Sequence, residues 1–157
     1  MKNRILALIL LVAVALLSLS SCSILFGKVD RSGVFTVAID NADGSFEEYS
    51  VNLESLENNK EGAKGVLELI DSTHGDFYLE MTDSTYGAYV SAIGSIKESY
   101  ADKMYVIVYT SVEADSYQGA PTITFDGVTL YQAGVGLSGM TVKEGGIILF
   151  RLEKSPY

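Results

Sequence analysis

Two hydrophobic periods alternate along this chain, and the switches between them set out its elements. From Gly33 to Asp40, Phe35, Val37 and Ile39 alternate with Val34, Thr36 and Ala38. Such a strand is apolar on both faces and is expected to be buried on both sides. Asn41-Ala42-Asp43-Gly44 follows as a hairpin turn, with Gly44 expected at positive φ. The returning strand, Phe46 to Leu53, sends Tyr49, Val51 and Leu53 one way and Glu48, Ser50 and Asn52 the other. That is the alternation of a sheet with one solvated face. The period then becomes helical, because Ala63, Val66, Leu67 and Ile70 fall at i, i+3, i+4 and i+7. Asn58 or Asn59 is expected to cap this helix, Glu61 to lie in its first turn, and His74-Gly75 to close it with a glycine cap.

Beyond the helix the alternation returns in short pieces. Phe77 to Met81 and Tyr86 to Ile93 are expected strands about a turn at Thr82-Asp83-Ser84, followed by a polar loop from Gly94 to Lys103. Met104 to Tyr109 is the strongest strand of this half, with Val106 and Val108 on one face and Tyr105, Ile107 and Tyr109 on the other. A loop from Ser111 to Pro121 carries Tyr117. Thr122 to Phe125 and Val128 to Tyr131 form a hairpin across Asp126-Gly127, a strong two-residue turn signal. The last strand runs from Ile147 to Leu152. There is no internal repeat, and the pattern is that of one α+β domain: a mixed, mainly antiparallel sheet with one short packed helix.

The N-terminus carries an apolar run of a different kind. Lys2 and Arg4 precede Ile5 to Leu17, and Leu19-Ser20-Ser21-Cys22 follows. A basic n-region, a short apolar core and small residues at the cut site make a secretory signal. A cysteine at that cut site makes it a lipobox. Residues 1–21 are therefore expected to be removed as a lipoprotein signal peptide, and Cys22 to receive diacylglycerol. Residues 22–32 would then form the tether and 33–154 the domain. The run is shorter than the ~18 apolar residues of a membrane span. Lipid is a strong anchor, each buried methylene contributing ~0.8 kcal/mol. The expected location is extracytoplasmic, on a bacterial cell membrane, held through the lipid on Cys22.

Composition narrows the function. Taking residues 1–21 from 157 leaves 136, one domain's worth. Of 11 basic residues Lys2 and Arg4 leave with the signal, so 9 face 20 acidic side chains, a balance of about −11. That argues against nucleic acid, which requires a basic face. With its single cysteine lipidated, the chain has no disulfide and no thiol chemistry. The ten tyrosines, without any tryptophan, are uneven aromatic usage. Tyr86, Tyr89, Tyr100, Tyr105, Tyr109, Tyr117 and Tyr131 all fall in the second half. Tyrosine joins a large apolar face to a polar tip, which suits both a half-exposed strand and a binding surface.

Residues 134–139, Gly-Val-Gly-Leu-Ser-Gly, satisfy the dinucleotide pattern GxGxxG. That pattern works only where a strand turns into a helix whose N-terminus meets the pyrophosphate. Met140 to Gly146 has no helical stripe, so a flexible loop crossing over the domain is expected instead. Catalytic constellations are lacking. His74 is the only histidine and lies beside the helix end, which leaves no triad base and no histidine–cysteine metal set. No pair of carboxylates is singled out by spacing. The chain reads as a non-enzymatic binding module without a resident cofactor.

In order, these elements resemble the bacterial domains similar to the C-terminal domain of transcobalamin, a β-grasp-like family. The resemblance rests on Thr36 to Ile39 with Tyr49 to Leu53, on the helix segment Gly65 to Ile70, and on Tyr86-Gly87-Ala88-Tyr89-Val90 through Ile93-Gly94. It extends to the strand Met104 to Tyr109 and to the closing turn Val142 to Ile147. It covers residues 34–153. Two positions depart from it: Met104-Tyr105 stands where the family has tryptophan and an aromatic, and Thr110-Ser111 where it has asparagine-glycine. The resemblance implies capture of a small molecule, a cobalamin-type or other corrinoid ligand, for delivery to a transporter partner. The competing expectation is a surface protein–protein or adhesion module with no small ligand. If a ligand site exists, it is expected where the loops Gly94 to Lys103, Ser111 to Pro121 and Gly134 to Gly139 converge. Tyr100, Tyr105 and Tyr117 would supply flat contact there, and Gly134 and Gly136 close backbone approach.

Overall fold

The computed structural model describes residues 29–41, 43–56 and 61–155. The signal segment 1–21, Cys22 and the expected helix caps Asn58 and Asn59 lie outside the described residues.

The centre is a six-stranded sheet. Its first strand, β1 (Val34–Asp40), pairs antiparallel with β2 (Phe46–Asn52) on one side and parallel with β9 (Ile147–Lys154) on the other. Strand β6 (Met104–Thr110) runs antiparallel to β9, and β8 (Val128–Gln132) and β7 (Thr122–Phe125) complete the order β2-β1-β9-β6-β8-β7. A smaller antiparallel sheet follows the order β3-β4-β5, from Leu79–Ser84, Gly87–Ile93 and Ile96–Lys97. The helix α1 spans Gly62–Thr73. The fold is α+β, mostly antiparallel and β-grasp-like.

The two-faced apolar pattern of β1 has a physical outcome on each side. Phe35, Val37 and Ile39, with Ile148 and Phe150 of β9, form the main core with Val66, Leu67 and Ile70 of α1 and Ala88, Val90 and Ile93 of β4. Ala38 and Leu149 point to the opposite face and meet Tyr109, Phe125 and Leu130. The β7–β8 hairpin can cover that face because β8 pairs with β6 at only two positions, Tyr109↔Gln132 and Thr110↔Tyr131. Its tip reaches the far edge strand, where the rings of Phe125 and Phe46 stand 5.1 Å apart. Each layer thus removes one face of the central sheet from water, the main stabilising term in such a domain.

Four expectations are corrected. The hairpin after α1 turns at Thr85-Tyr86, not Thr82-Asp83-Ser84, because β3 continues through Ser84 as an exposed edge strand. The expected loop Gly94 to Lys103 contains strand β5, in which buried Ile96 joins the main core. The helix is capped at its start by Glu61, whose side chain makes no capping bond. Its end is not closed by a left-handed glycine: His74 has φ −118°, and its N–H donates to the Ile70 carbonyl at 2.8 Å. Thr73 Oγ1 adds a 2.7 Å bond to the Leu69 carbonyl, meeting another of the carbonyls a helix end leaves over. Gly44 (φ 84°) and the Asp126-Gly127 pair (φ 50° and 77°) adopt the left-handed turns expected of them.

The helix is seated by its first residue. Gly62 has φ 45°, and a Cβ there would stand 2.7 Å from the carbonyl oxygens of both Leu137 and Met140. The turn around residues 137–140 therefore packs directly under the start of α1. At the N-terminal margin, Val29 bridges Val142, and the Asp30 N–H donates to the Val142 carbonyl at 2.7 Å.

Candidate functional site

The chain between β8 and β9 borders three of the recesses in the surface. The Gly134 N–H donates to the Asp115 carbonyl at 2.8 Å, and Ala133 bridges Ser116. Asp115 is buried, and its carboxylate accepts from the Thr141 N–H at 2.7 Å and from Thr141 Oγ1 at 3.0 Å. Buried Ser138 accepts the Ala88 N–H at 3.2 Å on Oγ. Between these ties Leu137–Gly139 forms a 3-10 turn with Leu137 in the core. The expected flexible loop is an anchored turn, since a buried carboxylate released from its donors would cost ~1–3 kcal/mol or more.

Gly134 and Gly136 allow close packing. A Cβ on Gly136 would overlap the Tyr86 carbonyl oxygen and stand 2.9 Å from the Gly87 Cα. A Cβ on Gly134 would stand 3.0 Å from the Tyr117 nitrogen. The Gly134 and Gly139 amides already donate within the protein, the latter to the Gly136 carbonyl at 2.8 Å. Gly136 and the β3–β4 tip consequently form one continuous surface.

Three adjoining recesses meet at Gly136. One, of about 600 Å³, lies between the start of α1, the β3–β4 tip and the glycine turn, with Glu61, Lys64, Tyr86 and Ser138 in its wall. Lys64 Nζ binds Asp83 Oδ1 at 2.7 Å across it, and this bond holds the ammonium pKa above its ordinary value. A second recess, about 330 Å³, lies under Tyr86 and Tyr89. The third, about 180 Å³, is an apolar slot between β4 and β6, walled by Val90, Val106, Val108 and Leu137. It follows the β6 edge beyond the short pairing with β8. Tyr86 is 90% exposed at the rim, with Val135 and Tyr89 also exposed.

A second aromatic group borders this region. The Tyr89 hydroxyl donates to Glu98 Oε1, which also accepts the Val106 N–H at 3.0 Å. The rings of Tyr100 and Tyr105 stand edge to face with centroids 5.9 Å apart. Burial, then the bond to Glu98, pushes the Tyr89 phenol well above its usual pKa. The charge of Glu98 raises Tyr100 as well.

Of the expected site residues, Gly134 and Gly136 lie in the anchored turn at the cleft, and Tyr100 touches Tyr105. Tyr117 is set apart from these two: its hydroxyl donates to Gln132 Oε1 at 3.0 Å, and it borders a separate recess of about 340 Å³ shared with Tyr131. The Ser111 to Pro121 and Gly134 to Gly139 segments do converge, through Asp115 and Ser116. The residues sequence reasoning missed are Tyr86, Tyr89, Glu98, Asp115 and Ser138. Tyr86-Gly87 carried a turn signal that could have placed an aromatic at a tip; the two buried polar anchors carried none. His74 Nδ1 lies near Thr73 Oγ1 and the Ile70 carbonyl, and its ring packs on Tyr49, a place at the helix end rather than in a cleft. Among the described residues no group of three histidine, cysteine, aspartate or glutamate side chains is placed to hold a metal ion.

No protein-family model matches the chain, and no curated protein matches it significantly. Solved structures do. A protein from Ruminococcus gnavus ATCC 29149, provisionally described as metal binding, superposes with a TM-score of 0.54 at 10% identity, over 79% of this chain and 99% of that one. Haptocorrin in complex with Cbi superposes with a TM-score of 0.52 at 14% identity, over 80% of this chain. This chain spans 26% of haptocorrin's length. The chain shares its fold with one part of haptocorrin.

Proposed function

We propose that this protein is a lipid-anchored, extracytoplasmic binding module that captures a small molecule at the Gly136 cleft without converting it. The observation that carries the reading is the cleft itself: three adjoining recesses, one of them an apolar slot, and an exposed tyrosine rim, all on a backbone pinned by Asp115 and Ser138. Ligand sites are concave, largely apolar and preformed, with few polar groups. A corrinoid is the ligand class favoured by the sequence resemblance, and the shared fold with haptocorrin in complex with Cbi supports it. The captured molecule would pass to an uptake system. Calorimetric titration of the purified protein with cobalamin and cobinamide tests this, beside a Tyr86→Ala variant. Saturable heat that weakens in the variant is expected. The exposed Tyr86, Tyr89 and Val135 would equally suit a protein partner, and absence of heat from both corrinoids would favour that second reading.

The anchor is tested separately. Cells fed a labelled fatty acid should mark the parent protein and leave Cys22→Ala unmarked; a label on the variant would remove the lipobox reading.

A further inference from the structure

Glu98 is placed unusually for a carboxylate. Its Oε1 accepts from the Tyr89 hydroxyl and the Val106 N–H, whereas its Oε2 is buried and has no hydrogen-bond partner. Among the described residues no lysine or arginine forms an ion pair with it; neighbouring Lys97 binds Glu80 at 2.8 Å instead. A buried acceptor without a donor is costly, and more so when charged, so the arrangement calls for compensation. Three tyrosines gather about it. Tyr89 touches it directly, Tyr100 feels its charge, and Tyr105 meets Tyr100 at an interplanar angle of 70°. Tyr100 is 71% exposed and Tyr89 42% exposed, so both present surface to solvent.

We infer that Tyr89, Tyr100 and Tyr105, backed by the Glu98 carboxylate, form a site for an organic cation of the quaternary-ammonium class. Ring faces attract such cations through their quadrupole, most strongly where water is excluded. Oε2 is out of contact with solvent, so a ligand cannot donate a hydrogen bond to it and its charge acts through space. That selects against a primary ammonium, which needs acceptors for three N–H groups, and for a methylated nitrogen, which needs none. The inference does not rest on the corrinoid reading, which rests on the recesses at Gly136, but the two share Tyr89, which borders those recesses as well.

The test is a titration of the purified full chain with choline and with its neutral isostere 3,3-dimethyl-1-butanol, followed by tyrosine ring resonances. Choline should shift the Tyr100 and Tyr105 resonances saturably, and the neutral alcohol should not. Tyr100→Ala removes an exposed ring and leaves the core intact; it should weaken choline binding about two- to thirtyfold. Glu98→Gln should weaken it about tenfold or more while keeping an oxygen to accept the Val106 N–H. Equal responses to choline and the alcohol, no response to choline, or choline binding indifferent to Tyr100→Ala would each overturn the inference. Corrinoid heat measured on the same preparation reports on the other reading.

Discussion

Gly136 lies so close to Tyr86 that a side chain of even one carbon would overlap the Tyr86 carbonyl oxygen. The glycine turn and the β3–β4 tip thereby pack as one surface, with recesses on either side of the contact.

Gly136→Ala should therefore force the turn and the tip apart. Overpacking of this kind costs ~1–3 kcal/mol, and a thermal melt should show a clear fall. Gly75→Ala is the control, since nothing lies within 4 Å of a Cβ there. It should change stability by no more than about 0.5 kcal/mol, the usual range for a surface substitution. Equal melting temperatures for the two variants would show that the close contact is not a constraint.

Leu67 of α1 is fully buried against the central sheet. Leu67→Ala should cost ~2–5 kcal/mol, the transfer term plus a cavity. Chemical denaturation measures it, and a loss below about 1 kcal/mol would mean that the helix packs more loosely than its contacts indicate.

How much of this was legible in the sequence depends on whether a residue's role is local. The alternation of Phe35, Val37 and Ile39 against Ala38 gave both faces of β1 correctly, because burial acts on every second residue. The stripe Ala63, Val66, Leu67 and Ile70 gave the helix and its buried face for the same reason. Asp83 and Ser84 looked like turn residues, yet they are strand residues whose polar side chains face water at an edge. Ile96-Lys97 was too short to register as a strand and exists through its pairing with Ala92 and Ile93. The glycines of 134–139 suggest freedom, whereas Gly136 and Gly134 pack closely on Tyr86 and Tyr117, visible only once distant segments meet. The tyrosines stand out in the sequence as a class. Their division, with Tyr100 and Tyr105 near Glu98 and Tyr117 beside Gln132, is a tertiary fact that spacing does not encode.

Tyr109 predicts an alkaline limit. It is buried on the second face of the sheet and donates a 2.9 Å bond to Glu153 Oε1. Burial first, then that bond, pushes its phenol up to about 12, against about 10 in an unfolded chain. The native state thus holds this proton more tightly than the unfolded one. The associated stability is fully present below about pH 10 and is lost as pH rises through about 12. Stability followed across this window should fall in the parent, and less steeply in Tyr109→Phe, which has no proton to lose. Identical slopes would contradict the assignment.

Capture of a small molecule at the surface around Gly136 would perturb the backbone amides that line it. Backbone amide resonances followed during titration with cobalamin and cobinamide test it most directly. Saturable shifts are expected at Tyr86, Gly87, Gly136 and Ser138 with at least one of the two corrinoids, while Gly119 and Gly127 on the far loops stay still. Unchanged resonances at the cleft with both corrinoids, or shifts confined to the far loops, would contradict it.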